Sequence, residues 1–97
     1  MPSRKRLPDV AITDHVSWLD GWEVRGGKLH RHFEFTSFVE AFGFMTRAAL
    51  LAEKMDHHPE WSNVYNQVDV ELSTHDVGGI TEFDFELARA MSGLVAD

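Results

Sequence analysis

Two histidines, His57 and His58, stand side by side directly before Pro59, and a third, His75, follows in the second half of the chain. Histidine is the side chain whose unperturbed pKa lies nearest 7, so imidazoles gathered at one place suit proton transfer in both directions. Carboxylates accompany them: Glu53 and Asp56 just upstream, Asp76 beside His75, and Asp84 farther on. A paired carboxylate can fix the tautomer of an imidazole and favour its charged form. Three readings of the cluster stand open on residue types alone: an acid–base site, a metal site, and a solvated loop with one satisfied core histidine. The chain has no cysteine, so disulfides and thiolate metal sites are excluded. On a regular helix His57 and His58 would point about 100° apart, which counts against one shared metal. Their place at a helix end weakens that objection.

These residues need elements to position them, and the patterning supplies candidates. A short helix is expected after Pro8, with Thr13 or Asp14 near its start, Val16 and Leu19 inward and Asp20-Gly21 at its end. Residues 22–25 and 28–35 read as a hairpin whose tight turn is Gly26-Gly27. On the return strand Leu29, Phe33 and Phe35 share one face, with His30, His32 and Glu34 on the other. A long helix is predicted over 38–55, capped by Thr36 or Ser37, with Ser37 and Glu40 at capping-box spacing. It carries two apolar stripes, Phe38, Phe42, Met45, Ala49 and Ala52, and Phe44, Ala48, Leu51 and Met55. One sheet covers one side of a helix, so the second stripe is expected at an interface with another copy. Pro59 stops the helix. The next stretch, 61–74, is β-like: Val68, Val70 and Leu72 alternate with Asp69, Glu71 and Ser73, and Asn66-Gln67 is the expected turn. Gly78-Gly79 bends the chain again, and Thr81 with Asp84 caps a last helix whose inner stripe is Leu87, Met91, Leu94 and Val95.

The expected fold is therefore α+β in two layers, a four-stranded antiparallel sheet covered on one face by helices, in the order α-β-β-α-β-β-α. At 97 residues the chain reads as one domain, 1–97, with 1–8 as a flexible tail that includes Arg4, Lys5 and Arg6. A domain this small buries only about 60% of the surface its unfolded chain exposes, so a partner subunit would help. The formal net charge of −7 argues against a nonspecific nucleic-acid binder. No run approaches the roughly 20 apolar residues of a membrane span, and no secretory signal is read at the start, so the default compartment is cytoplasmic.

The run Glu53-Lys54-Met55-Asp56-His57-His58-Pro59-Glu60-Trp61, then Asn63-Val64-Tyr65-Asn66, then Ser73-Thr74-His75-Asp76 with Gly78-Gly79, resembles the pterin-4a-carbinolamine dehydratase family. Phe42-Gly43-Phe44-Met45-Thr46-Arg47 is similar to the long helix of its animal members, and Gly21-Trp22 fits the opening of its first strand. The resemblance is dense over residues 38–84. It implies removal of water from a 4a-hydroxytetrahydropterin to give quinonoid dihydropterin, in tetrahydrobiopterin recycling, with no metal and no cofactor. It further implies His57 and His75 as the general acid–base pair, with His58 positioning substrate and assisting. Asp56, Ser73, Thr74 and Asp76 would line the pterin site beside the histidines. Glu53 and Asp84 would orient the imidazoles, and Trp22 and Trp61 are candidate walls for the ring. Asp84 has a second reading as a plain helix-start carboxylate. His15, His30 and His32 receive no site. The partners implied are a homodimer or homotetramer with Phe44, Ala48, Leu51 and Met55 at an interface. The alternative function is that of a dimerisation cofactor for a homeodomain transcription factor, acting through the long helix without touching DNA and placing some of the protein in the nucleus.

Overall fold

The computed structural model describes residues 3–95. The order is α1 (Asp9–Ser17), β1 (Glu23–Arg25), β2 (Lys28–Glu34), α2 (Phe38–Met55), β3 (Glu60–Val64), β4 (Gln67–Leu72), a single 3₁₀ turn (His75–Val77) and α3 (Glu82–Gly93). The four strands form one antiparallel sheet in the order β1-β2-β4-β3, so β4 runs beside β2 and brings the two hairpins together. This is the α+β architecture expected from the sequence.

Local chemistry sets most boundaries. The Ser37 side chain accepts from the Glu40 N–H, while the Glu40 carboxylate reaches back to the Thr36 N–H and hydroxyl. Helix α3 opens on a complete capping box between Thr81 and Asp84. At Gly26 and Gly27 φ is 61° and 77°, the left-handed pair that a two-residue hairpin turn requires. The second hairpin turns at Tyr65, with φ 51°, one residue earlier than expected. Helix α1 starts at Asp9, directly after Pro8, so Thr13 and Asp14 lie inside it and neither caps it. A proline next to the first helical turn loses no hydrogen bond there, which lets the helix begin earlier than a polar cap would place it.

One face of the sheet is the core. Leu29, Phe33, Val68, Val70 and Leu72 are buried against Ala41, Phe44, Ala48 and Ala52 of α2 and Phe85, Leu87 and Met91 of α3. Phe44 is wedged between Phe33 and Phe35, with ring centroids 4.6 and 5.1 Å apart. This corrects the interface stripe: Phe44 and Ala48 are 0% exposed within a single chain, and Leu51 and Met55 are half-buried. The solvent side of α2 instead shows Phe38, Val39, Phe42 and Leu50. Both stripes are apolar, so periodicity alone does not say which one meets the sheet; bulk decides, because Phe44 fills the gap between two aromatic strand residues.

The other sheet face is polar. There His30 is buried, its Nδ1 2.8 Å from Glu23 Oε2 and its Nε2 2.8 Å from Asp69 Oδ1. The ring is thus held between two carboxylates. Asp69 also meets His32 at 3.2 Å and Arg25 at 3.5 Å. Burial works to raise the Asp69 carboxyl, but the bonds from His30 and His32, with Arg25 behind them, outweigh it and hold the group below its ordinary value.

Residues 3–8, read from sequence as part of a flexible tail, are laid against the fold: the Leu7 N–H donates to the Ile80 carbonyl at 2.8 Å, and its side chain packs on the core. Residues 1 and 2 of that tail lie outside the described residues.

Candidate active site

Three element ends meet on one side of the molecule. At the end of α2, Asp56 is left-handed (φ 52°, ψ 43°), and the His57 N–H closes back on the Ala52 carbonyl at 3.0 Å. Short polar side chains tolerate this conformation, and the closure is of the Schellman type. The chain therefore turns on leaving the helix. The His57 side chain points inward at 7% exposure while that of His58 stays out at 56%. At the end of β4, Ser73 and Thr74 lead into the 3₁₀ turn that begins at His75, and Thr74 bridges to Gly79 across it. The start of α3 supplies the third end.

Asp84 joins all three. It is completely buried. Its Oδ1 accepts from His57 Nε2 at 2.6 Å, and its Oδ2 accepts from the Thr74 hydroxyl and the Thr81 N–H, each at 2.9 Å. The Thr81 hydroxyl accepts from the Phe83 N–H at 3.2 Å and lies 2.7 Å from the Thr74 hydroxyl, to which its own hydrogen is directed. With its Nε2 hydrogen held by Asp84, neutral His57 carries its lone pair on Nδ1, which has no partner among the described residues. Asp84 thus caps α3 and at the same time accepts a hydrogen bond from the His57 ring.

Each of the other two histidines has a carboxylate of its own. His58 Nε2 meets Glu53 Oε1 at 2.8 Å. His75 Nε2 meets Glu60 Oε1 at 3.3 Å, and Lys28 Nζ meets the same oxygen at 2.8 Å. Lys28 first, then His75, hold the Glu60 carboxyl below its ordinary range, and Glu60 in return raises Lys28. Reading the sequence gave Glu60 no role. Its pairing with His75 depends on β3 lying beside β4, and no spacing along the chain reports that.

Between these groups lies an open cleft of about 340 Å³, lined by Asp56, His57, His58, Ser73, Thr74, His75, Asp76 and Arg4. The structure brings together every residue read as lining the pterin site and adds Arg4, which the tail reading had set aside. Glu53 and Asp84 stand behind the lining as carboxylate partners. The two tryptophans are corrected. Trp22 is buried in the core, donating from Nε1 to Ser92 Oγ at 2.8 Å and meeting Phe33 edge-on. Trp61 packs on the core from the inner face of β3, opposite Val70. Neither borders the cleft. A tryptophan beside a motif carries no sign of which sheet face its ring takes.

The site is thus a cleft in a small α+β fold ringed by carboxylate-backed imidazoles, an arrangement chemically suited to proton transfer on a small molecule. The comparisons with known proteins narrow this reading. The pattern described as pterin 4 alpha carbinolamine dehydratase matches residues 5–94. A protein of Chelativorans sp. bearing the pterin-4-alpha-carbinolamine dehydratase name is 55% identical over 96 residues, 97% of this chain and 98% of its own. One from Solibacter usitatus with the same name is 59% identical over 91 residues, covering 94% and 96%. A crystal structure from Brucella melitensis, described as a transcriptional coactivator/pterin dehydratase, superposes with a TM-score of 0.92 at 48% identity, over 95% of this chain and all of that one. The chain belongs to the pterin 4 alpha carbinolamine dehydratase family, and it is an enzyme of the hydro-lyase class. No helix among the described residues is long and apolar enough to cross a membrane.

Proposed function

We propose that the chain converts 4a-hydroxytetrahydrobiopterin to quinonoid dihydropterin and water by histidine acid–base catalysis. In the reaction the C4a–O bond breaks, the leaving hydroxyl takes a proton, and N5 loses one as its electrons form the C4a=N5 bond. Protons in and out balance, no electrons are gained or lost, and no cofactor is consumed. One imidazole supplies the proton and another removes it. His57 and His75 serve as this pair, each able to act on one face of C4a, while His58 positions the ring and assists. The observation that carries the reading is His57, whose Nε2 is anchored on buried Asp84 while Nδ1 remains free beside a cleft that also holds His75. Such an anchor fixes which nitrogen works.

The test follows the decay of chemically generated 4a-hydroxytetrahydrobiopterin with a chelator present, so that a trapped metal contributes nothing. A single indispensable acid or base is worth about 10²–10⁴-fold in rate. His57→Ala combined with His75→Ala is expected to abolish measurable dehydration while the fold survives. Near-normal turnover by the double variant would refute the mechanism. The reaction belongs after an aromatic amino acid hydroxylase and before a reductase, in the cytoplasm.

The same reading extends to assembly. A homo-oligomer would bury Phe38, Val39, Phe42 and Leu50 on the solvent side of α2, a cluster of large apolar side chains that a lone subunit leaves wet. This face, rather than the Phe44 stripe, would also serve the coactivator alternative. Light scattering of the purified chain at micromolar concentration separates a monomer from a homo-oligomer.

A further inference from the structure

We propose that Arg4 is a specificity residue of this cleft, its guanidinium binding an acceptor oxygen of the bound pterin, either the oxo group of the ring or an anionic group on its side chain. The inference rests on the pterin reading above. Three contacts set the place of Arg4. Leu7 is tied by its N–H to the Ile80 carbonyl at 2.8 Å. Arg6 lies across Gly79 so closely that a Cβ there would come within 2.8 Å of its Nε. The Arg4 Cζ itself stands 4.3 Å over the Phe83 ring, whose centroid is 5.7 Å from that of His57. The guanidinium is thus held one ring away from the imidazole that Asp84 anchors, and it lines the cleft.

The chemistry of the lining gives it a task. Asp56 and Asp76 are carboxylates able to accept from the amino and ring N–H groups of a 2-amino-4-oxopyrimidine. The Thr74 hydroxyl is already spent on Asp84. Arg4 is the one permanently charged cation of the lining, and it makes no hydrogen bond or ion pair among the described residues. A guanidinium resting on an aromatic face keeps its N–H edges for a ligand, and those edges match an oxo or phosphate oxygen.

The test compares Arg4→Gln and Arg4→Lys with the parent on two substrates, 4a-hydroxytetrahydrobiopterin, whose side chain is neutral, and the 4a-hydroxy form of a tetrahydropterin with a phosphorylated side chain. Arg4→Gln is expected to raise KM about tenfold, the loss of one charge-assisted hydrogen bond, with kcat kept within about twofold and partial recovery in Arg4→Lys. A rise confined to the phosphorylated substrate assigns the acceptor to the side chain, and an equal rise on both assigns it to the ring. An unchanged KM on both substrates, or a fall in kcat alone, overturns the proposal. Binding of oxidised biopterin, read by its fluorescence, separates this from the wider reading. If the parent binds biopterin but dehydrates nothing, the dehydration reading fails, and Arg4 is still judged by whether Arg4→Gln weakens binding of oxidised biopterin, or of an oxidised pterin with a phosphorylated side chain, about tenfold or leaves both unchanged.

Discussion

Replacing Asp84 by asparagine changes which nitrogen of His57 bears the hydrogen while disturbing little else. The carboxylate makes two kinds of contact: Oδ2 accepts twice, from Thr74 and Thr81, and Oδ1 accepts once, from His57. Asparagine has a single carbonyl, and it is best used on the side with two donors, where it keeps the helix cap. Its NH₂ group then faces His57 Nε2, which has to accept, so the hydrogen moves to Nδ1. The stability cost is the carboxylate charge at a helix start, about 0.3–1 kcal/mol, plus the exchange of one charged hydrogen bond for a neutral one, for a total of about 1–2 kcal/mol. Asp84→Ala would leave the Thr81 N–H, the His57 ring and the hydrogen of the Thr74 hydroxyl without their acceptor in the interior, at about 1–3 kcal/mol for each group left unsatisfied, and it serves as the destabilised control. Catalysis should fall by about 10²–10⁴-fold in Asp84→Asn, because the imidazole then presents a donor where a lone pair is needed. The decay of 4a-hydroxytetrahydrobiopterin measures the rate, and ¹⁵N shifts of the His57 ring report the tautomer. A shifted tautomer with turnover within twofold of the parent would show that His57 does not act as the base.

Three further outcomes are expected. Phe44→Ala should cost about 3–5 kcal/mol in urea unfolding, since it empties the space between Phe33 and Phe35, whereas Phe42→Ala at a concentration where the chain is monomeric should cost less than about 0.5 kcal/mol; equal losses would contradict the orientation of α2. Asp69 has a folded pKa below its ordinary value, so its contribution is complete above the unfolded value near 4 and is lost as the pH falls through the folded one. Asp69→Asn should therefore destabilise the protein at pH 7 by about 1 kcal/mol, given the partial exposure of Asp69, and the two urea midpoints should converge as the pH falls through the folded value; a gap that stays constant through the whole acid range would contradict this. Tyr65→Gly relieves a left-handed φ of 51° at an exposed turn and should leave stability equal or raise it by up to about 1 kcal/mol, so a clear loss in thermal unfolding would mean that the Tyr65 ring is needed elsewhere.

The parts of the fold that follow from neighbouring residues were legible in the sequence. Helix α2 occupies the predicted 38–55, its start held by Ser37 and Glu40, and α3 begins at the predicted capping box of Thr81 and Asp84. The grouping of His57, His58 and His75 came from a family resemblance over residues 38–84, since spacing alone left a metal site and a plain loop open. Contacts that depend on packing were not legible. The choice between two apolar stripes on α2 is made by Phe33 and Phe35 on another element. Glu60 reaches His75 only because β3 and β4 are neighbours in the sheet. Arg4 sits in a stretch with no periodicity, and its contact with Phe83 joins opposite ends of the chain.

The left-handed backbone at Asp56 ties the division of labour between two adjacent histidines to the chain count. Because the turn follows Met55 at once, one imidazole is sent into the interior and the next into solvent. Inserting or deleting a single residue between α2 and β3 would exchange their destinations, giving Asp84 the wrong ring or none. Length variation in this connection is therefore barred, and relatives are expected to keep the number of residues that separates α2 from β3.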